Sequence, residues 1–204
     1  RRAVTEEPQV SVVMPLRNAA ASLETAVRSV REQSFAAWEL IVVDDGSCDG
    51  SGGLLAELAR ADERIRIERT EARGVAPAMQ RACELARAPW IARMDADDWM
   101  HPERLSSQLE HAGQHPELGV ISCRVGYGGE GEGYRAHVDW LNTLMDPEVI
   151  ALRRFVEAPV ANPSVMFCRE LIALHGGVSR WRLPRRLRDV AALAGCGGAC
   201  RQGG

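Results

Sequence analysis

Lysine is absent from this chain: all 25 basic residues are arginine. Together with the many alanines and glycines, this marks a GC-rich coding sequence and not a selection for guanidinium chemistry. Aromatic residues are scarce at 5%. Apolar runs are short, Leu40-Ile41-Val42-Val43 being typical, against the roughly 20 apolar residues that a membrane-spanning helix needs. Arg1 to Pro8 contains no apolar stretch of the kind a secretory leader carries, and the sequence opens without Met, as a fragment or trimmed chain would. The cysteines at 48, 83, 123, 168, 196 and 200 form no CxxC pair, which argues against the common zinc spacings and leaves reduced thiols as the default. A net charge of −3 and a pI near 6.0 offer no basic face to a nucleic acid.

What is present is the balance of an ordinary globular domain: 204 residues, 46% hydrophobic and 26% charged. Its first 125 residues alternate strand and helix signals. Val10 to Met14 is a β-branched run stopped by Pro15, followed by an amphipathic stretch from Ala19 to Gln33. Glu39 to Val43 is a second strand and ends on Asp44-Asp45-Gly46-Ser47; a helix through Leu54, Leu55 and Leu58 follows. Arg64 to Glu68 alternates polar and apolar, which predicts a half-exposed edge strand. Gly74 opens a helix through Ala88, and Trp90 to Met94 is a strand running into Asp95-Ala96-Asp97-Asp98. A helix starting at Pro102, a strand over 118–125, a Gly- and Glu-rich loop over 126–133, a helix over 146–156, a strand over 164–168 and a short helix to His175 complete the pattern. The rhythm predicts an α/β fold: a mostly parallel, Rossmann-like nucleotide-binding sheet with helices on both faces, whose ligands sit beyond the carboxyl ends of the strands.

Two acidic clusters stand at those ends. In an extended segment Asp95 and Asp97 lie on one side, about 7 Å apart at Cα, and can embrace a hard cation or divide cation and ribose hydroxyl between them. An isolated cluster of this kind is more often a solvated helix cap, as Ser47 and Asp49 read here; its position at the end of an apolar strand changes the balance. Asp44-Asp45 directly after Ile41-Val42-Val43 is harder to explain as a cap, since one of the pair points into the crevice.

Val10 to Pro15 with Asn18, Glu39 to Ser47, Gly74-Val75-Ala76 and Asp95 to Asp98, in that order and at those separations, resemble the family 2 glycosyltransferases of the GT-A type. The resemblance runs from about Val10 to Gly177. It implies a nucleotide-sugar donor (a UDP-sugar above all), a divalent Mg or Mn, and transfer with inversion to a hydroxyl of a glycan, lipid-linked or small-molecule acceptor, at the cytosolic face of a membrane. By position, Pro15 and Arg17 line the base pocket, Asp45 receives the base N–H with Asp44 beside it, Asp95 and Asp97 hold the nucleotide, and Asp97 and Asp98 hold the metal. Arg17 stands where an aromatic residue is frequent. Asn162 and Pro163 resemble the entry to the acceptor-side strand, and a plain turn accounts for them equally well.

The family's general base, commonly a Glu-Asp pair after the acceptor-side glycines, has no counterpart here, because Asp189 is the last acid after Gly177. From Ser179 onward six arginines face that one acid, a balance of +5. Arg180 to Gly195 can be encoded by codons that read, one base on, as DGDFPEDYEMWLRWL, which contains the missing pair and an amphipathic helix. The expected division is therefore an extension over 1–8, a GT-A domain over 9–178 lacking its C-terminal part, and an out-of-frame or loosely docked tail over 179–204. The same pocket without a base is a nucleotide-sugar-binding module, the alternative to a working transferase.

Overall fold

The computed structural model of the chain describes residues 7–128, 132–153, 159–175 and 190–200. The elements run β1 (Val10–Leu16), α1 (Leu23–Arg31), β2 (Trp38–Asp44), α2 (Ser51–Ala61), β3 (Ile65–Arg69), α3 (Val75–Leu85), β4 (Trp90–Arg93), α4 (Arg104–Gln114), β5 (Val120–Tyr127), α5 (Glu132–Leu141), α6 (Pro147–Arg153), a 3₁₀ turn (Asn162–Ser164), β6 (Met166–Cys168), α7 (Glu170–His175) and β7 (Val190–Cys200). They form one seven-stranded sheet in the order β3-β2-β1-β4-β6-β5-β7. β6 runs antiparallel to β4 and β5, and the remaining pairs are parallel.

Strand alternation divides the core between two faces. Val10, Val12 and Met14 of β1 and Leu40 and Val42 of β2 pack against Leu23, Val27 and Val30 of α1, Leu55 of α2 and Leu105 of α4. Val13, Ile41, Val43 and Ile91 point the other way, onto Ala78, Met79 and Ala82 of α3 and Ile150 of α6. Because both faces are covered, the inner strands read as continuous apolar runs, as parallel strands do. β3 lies at the sheet edge, where Ile65 is buried and Ile67 exposed, as the alternation of 64–68 predicts.

Several elements depart from the sequence reading, among them α5, a helix over Glu132–Leu141 that the sequence reading did not contain. Pro15 lies inside β1, not at its end. Its missing N–H falls on the β4 side, beyond the last β1–β4 partners Val13 and Arg93, while Leu16 still bonds toward β2 through Asp45 N–H; no ladder bond is lost. α1 begins at Leu23 and not Ala19, because Asn18 is left-handed (φ 54°) and side chains of the next loop take the Ala19 and Ala20 N–H groups. Of the tail expected to dock loosely, residues 190–200 form β7, an edge strand parallel to β5; residues 179–189 and 201–204 lie outside the described residues. A run of Ala and Gly pairs through its backbone, which needs no large side chain.

Away from the crevice, Glu39 ties β2 to its neighbours although it is 1% exposed. It accepts from Ser11 Oγ at 2.7 Å on the paired strand, from Arg66 Nη1 at 2.9 Å on β3, and from Arg87 N and Nε, both at 2.9 Å. Burial pushes its carboxyl up, and the bonds from Arg87 N–H, Ser11 and the two guanidinium groups outweigh it, leaving the carboxyl below its usual range. The stability it contributes is therefore complete above the ordinary glutamate range and fades as pH falls through the lower folded value.

Candidate active site

The chain passes from β1 through β2 to β3 on one side of β1, then returns to place β4 on the other. The carboxyl ends of β1 and β4 flank that reversal, which is where open α/β sheets bind ligands. Three loops meet there: 17–22 after β1, 45–50 after β2 and 94–103 after β4.

The first two loops are stitched together. Ser47 Oγ accepts from Asn18 N–H at 2.9 Å, Asn18 Oδ1 from Cys48 N–H at 2.9 Å, Ser51 Oγ from Ala19 N–H at 2.9 Å, and Asp49 Oδ2 from Ala20 N–H at 3.0 Å. The Ser51 hydroxyl, with the Ala20 and Ser51 N–H groups, holds the exposed Asp49 carboxyl down to about 2. Gly50, at φ 99°, is the N-cap of α2 in place of the Asp49 that the sequence suggests; Asp49 reaches the Ser51 N–H from one residue earlier. Pro15 is buried near the end of β1, and Arg17, the first residue after the strand, is exposed.

The paired acids after β2 do different things. Asp44, 1% exposed, turns inward: Oδ1 accepts the Ser47 N–H at 2.8 Å, and Oδ2 receives no hydrogen bond, with Arg69 Nε at 3.7 Å. Asp45, 3% exposed, reaches to the segment between β3 and α3. Its Oδ1 accepts from Arg73 N–H at 2.9 Å and Thr70 Oγ1 at 3.3 Å, and its Oδ2 from Gly74 N–H at 2.8 Å. Burial pushes the Asp45 carboxyl up; the Arg73 and Gly74 N–H groups, the Thr70 hydroxyl and the Arg17 charge together carry it below its usual range. Asp45 thus holds the 70–74 segment, with Gly74 at φ 101°, a conformation that favours glycine. Asp45→Asn turns one acceptor oxygen into a donor facing an N–H. We expect a loss of about 1–3 kcal/mol, read as a lower thermal midpoint and weaker nucleotide binding in the same variant.

The third loop is not the extended segment that alternation predicts. β4 ends at Arg93, and the Asp98 N–H bonds Asp95 O at 3.2 Å, so the acids lie on a turn. Ser22 Oγ pins the turn by donating to Ala96 O at 2.9 Å. Asp95 is ion-paired with Arg93, Nε to Oδ1 at 3.0 Å and Nη2 to Oδ2 at 3.3 Å. Asp97 is exposed, and Asp98 is 4% exposed. Desolvation by the surrounding atoms, and the Asp95 charge after it, push the Asp97 carboxyl above its usual range. Among the described residues no group of three or more His, Cys, Asp or Glu side chains is gathered as a metal site. The hard oxygen donors of the turn nevertheless suit Mg²⁺ or Mn²⁺, which take one or two carboxylates and complete their shell with water and substrate phosphate.

Asp98 shares a cavity with Trp99, Arg104, Pro163 and Ser164, so the structure brings Pro163 to the acid turn. Asn162 and Pro163 form the 3₁₀ turn leading into β6. Buried Arg104 links these pieces, donating to Arg93 O at 3.1 Å, Val165 O at 3.4 Å and Gln108 Oε1 at 3.1 Å. Sequence reasoning missed Arg93, Arg104 and Thr70. Arg93 was findable, since it lies two residues before Asp95 and so on the same side of an extended strand; nothing local marks the other two.

A mostly parallel sheet whose switch point is lined by acid-bearing loops is an α/β architecture of the kind that binds ligands at the strands' carboxyl ends. The model of the family described as "Glycosyl transferase family 2" matches residues 11–173, and the chain belongs to that family. It is 34% identical over 154 residues to a Bacillus subtilis protein named as the teichuronic acid biosynthesis glycosyltransferase TuaG, covering 75% of this chain and 54% of that protein. It is 36% identical over 101 residues to the Escherichia coli glucosyltransferase WfgD, which is named for transfer from UDP-Glc, covering 49% and 39%. Among solved structures, S. aureus TarS 1–349 superposes with a TM-score of 0.74 at 17% identity, over 95% of this chain and 60% of TarS; it has also been solved with UDP and with UDP-GlcNAc. The mannosyltransferase PcManGT of Pyrobaculum calidifontis, in complex with GDP-Man and Mn²⁺, gives 0.70 at 20%, over 97% and 57%. The chain spans about half the length of the first curated relatives it matches.

Proposed function

We propose that the crevice binds a nucleotide-diphosphate sugar, a UDP-sugar first, with a divalent cation, and that it serves inverting transfer of the sugar to an acceptor hydroxyl. The observation that carries this reading is the meeting of the Asn18, Asp45 and Asp95–Asp98 loops at the switch point of a family 2 domain. The nucleotides named in the TarS and PcManGT structures, and the Mn²⁺ of the latter, support it.

In this reading Pro15 and Arg17 border the base, the latter offering a guanidinium plane where stacking is wanted. Asp45 keeps the 70–74 segment in place and has lone pairs left for a base N–H, since each carboxylate oxygen accepts twice. Asp44 is the inner brace of the same loop. Asp95 accepts a ribose hydroxyl, Asp97 and Asp98 are the carboxylates offered to the cation, and Asn162 with Pro163 borders the acceptor. When bound, the cation offsets the negative charge that gathers on the leaving diphosphate. Inversion needs a base on the far side of the sugar to take the acceptor proton. Asp189 is the last acid after Gly177, so the chain as written supplies no Glu-Asp pair for that step. A nucleotide-sugar-binding module without transfer is the second reading of the same pocket.

Release of UDP from a UDP-sugar in the presence of acceptor separates the two. Binding without release supports the module, release with an inverted product supports the transferase, and absence of binding removes both. Among the described residues no helix is long and apolar enough to cross a membrane. Peripheral association at the cytosolic face is proposed with the lipid-linked acceptors of this class.

A further inference from the structure

Neither the family match nor the acid cluster accounts for the ion pair between Arg93 and Asp95. Arg93 is the last residue of β4, and its backbone is held from two directions: its N–H bonds Val165 O at 2.9 Å, and its C=O accepts from Arg104 Nη2 at 3.1 Å. From that fixed base the guanidinium meets both oxygens of Asp95, at 3.0 and 3.3 Å, in the two-point geometry that arginine favours. The side chains are 23% and 28% exposed, so the pair is partly desolvated and still open to the crevice. Two residues on, Asp97 is exposed, and no arginine among the described residues is ion-paired with it as Arg93 is with Asp95.

A divalent cation joining Asp95 would have to displace the guanidinium or sit against its charge. A neutral hydroxyl meets no such penalty, since an ion-paired carboxylate keeps free lone pairs. We infer that Arg93 is a positioning residue that keeps Asp95 out of the cation's coordination and presents it to a neutral donor hydroxyl, leaving the cation to Asp97 and Asp98. This inference rests on the metal-assisted nucleotide site proposed above and divides the labour within it.

The test is made on the full chain, following Mn²⁺ binding without nucleotide by the loss of the free-ion EPR signal, and UDP binding at saturating Mn²⁺ by calorimetry. In Arg93→Met the two affinities move in opposite directions. Mn²⁺ binds about tenfold more tightly, because a positive charge is gone and Asp95 is free to ligate, and UDP binds about tenfold more weakly, because the hydroxyl acceptor is no longer held. Arg93→Lys, which keeps the charge, retains the wild-type Mn²⁺ affinity. Asp95→Asn lowers UDP affinity with Mn²⁺ affinity unchanged, and it reads the same division should Arg93→Met not fold. Parallel losses, no change in either affinity, or a drop in Mn²⁺ binding in Asp95→Asn overturns the inference alone. A wild-type chain that binds UDP equally with Mn²⁺ and with EDTA overturns the site beneath it as well.

Discussion

Asp97→Asn is expected to remove the gain in nucleotide affinity that Mn²⁺ confers, a loss of about 100-fold, or about 2.7 kcal/mol on the affinity scale. Asp97 is exposed, yet partial desolvation by nearby atoms, and the charge of Asp95 after it, raise its carboxyl. Such a group gains when a cation arrives, because the cation cancels the repulsion that disfavours its ionised form. Substituting an exposed side chain costs little stability, about 0.5 kcal/mol or less, so the thermal midpoint should stay near that of the parent. UDP affinity in EDTA should also be the same in parent and variant. If instead the variant keeps the Mn²⁺ effect, the cation is held elsewhere on the turn.

The second large effect concerns residues from 180 onward. A chain carrying the one-base-shifted reading from that point, with its Glu-Asp pair, is expected to turn over a UDP-sugar about 10²- to 10⁴-fold faster than the chain as written, the range of a regained general base. Donor binding should differ far less, since the loops after β1, β2 and β4 are the same in both. In the structure, residues 190–200 pair with β5 as an edge strand. The shifted reading, which runs over 180–194, places its amphipathic helix across the start of that strand. Circular dichroism of the two chains adds a second readout: more helix in the shifted chain. Equal turnover by both chains contradicts the missing base and the frame assignment together.

The fold was legible because its inner strands are covered on both faces, so runs such as Leu40 to Val43 declare themselves. The edge strand β3 was legible for the opposite reason, an alternation that leaves Ile67 half outside. The positions of the acids were legible too, since strand ends fix where a motif stands. Their pairings were not. That Asp45 would spend its oxygens on Arg73 and Gly74, nearly thirty residues away, is decided by how β2 and α3 meet and leaves no local trace. The extended spacing assumed for Asp95 and Asp97 failed because β4 ends at Arg93, where Val165 and Arg104 take its backbone groups. The direction of β6 was likewise hidden, as a three-residue strand carries no sign of whether its neighbours run with it or against it.

Calorimetric titration of the chain with UDP, once with Mn²⁺ and once with EDTA, tests the metal-assisted nucleotide site most directly. Saturable one-site binding is expected with Mn²⁺, weakened about 100-fold in EDTA. Binding of equal strength in both, or none in either, would contradict it.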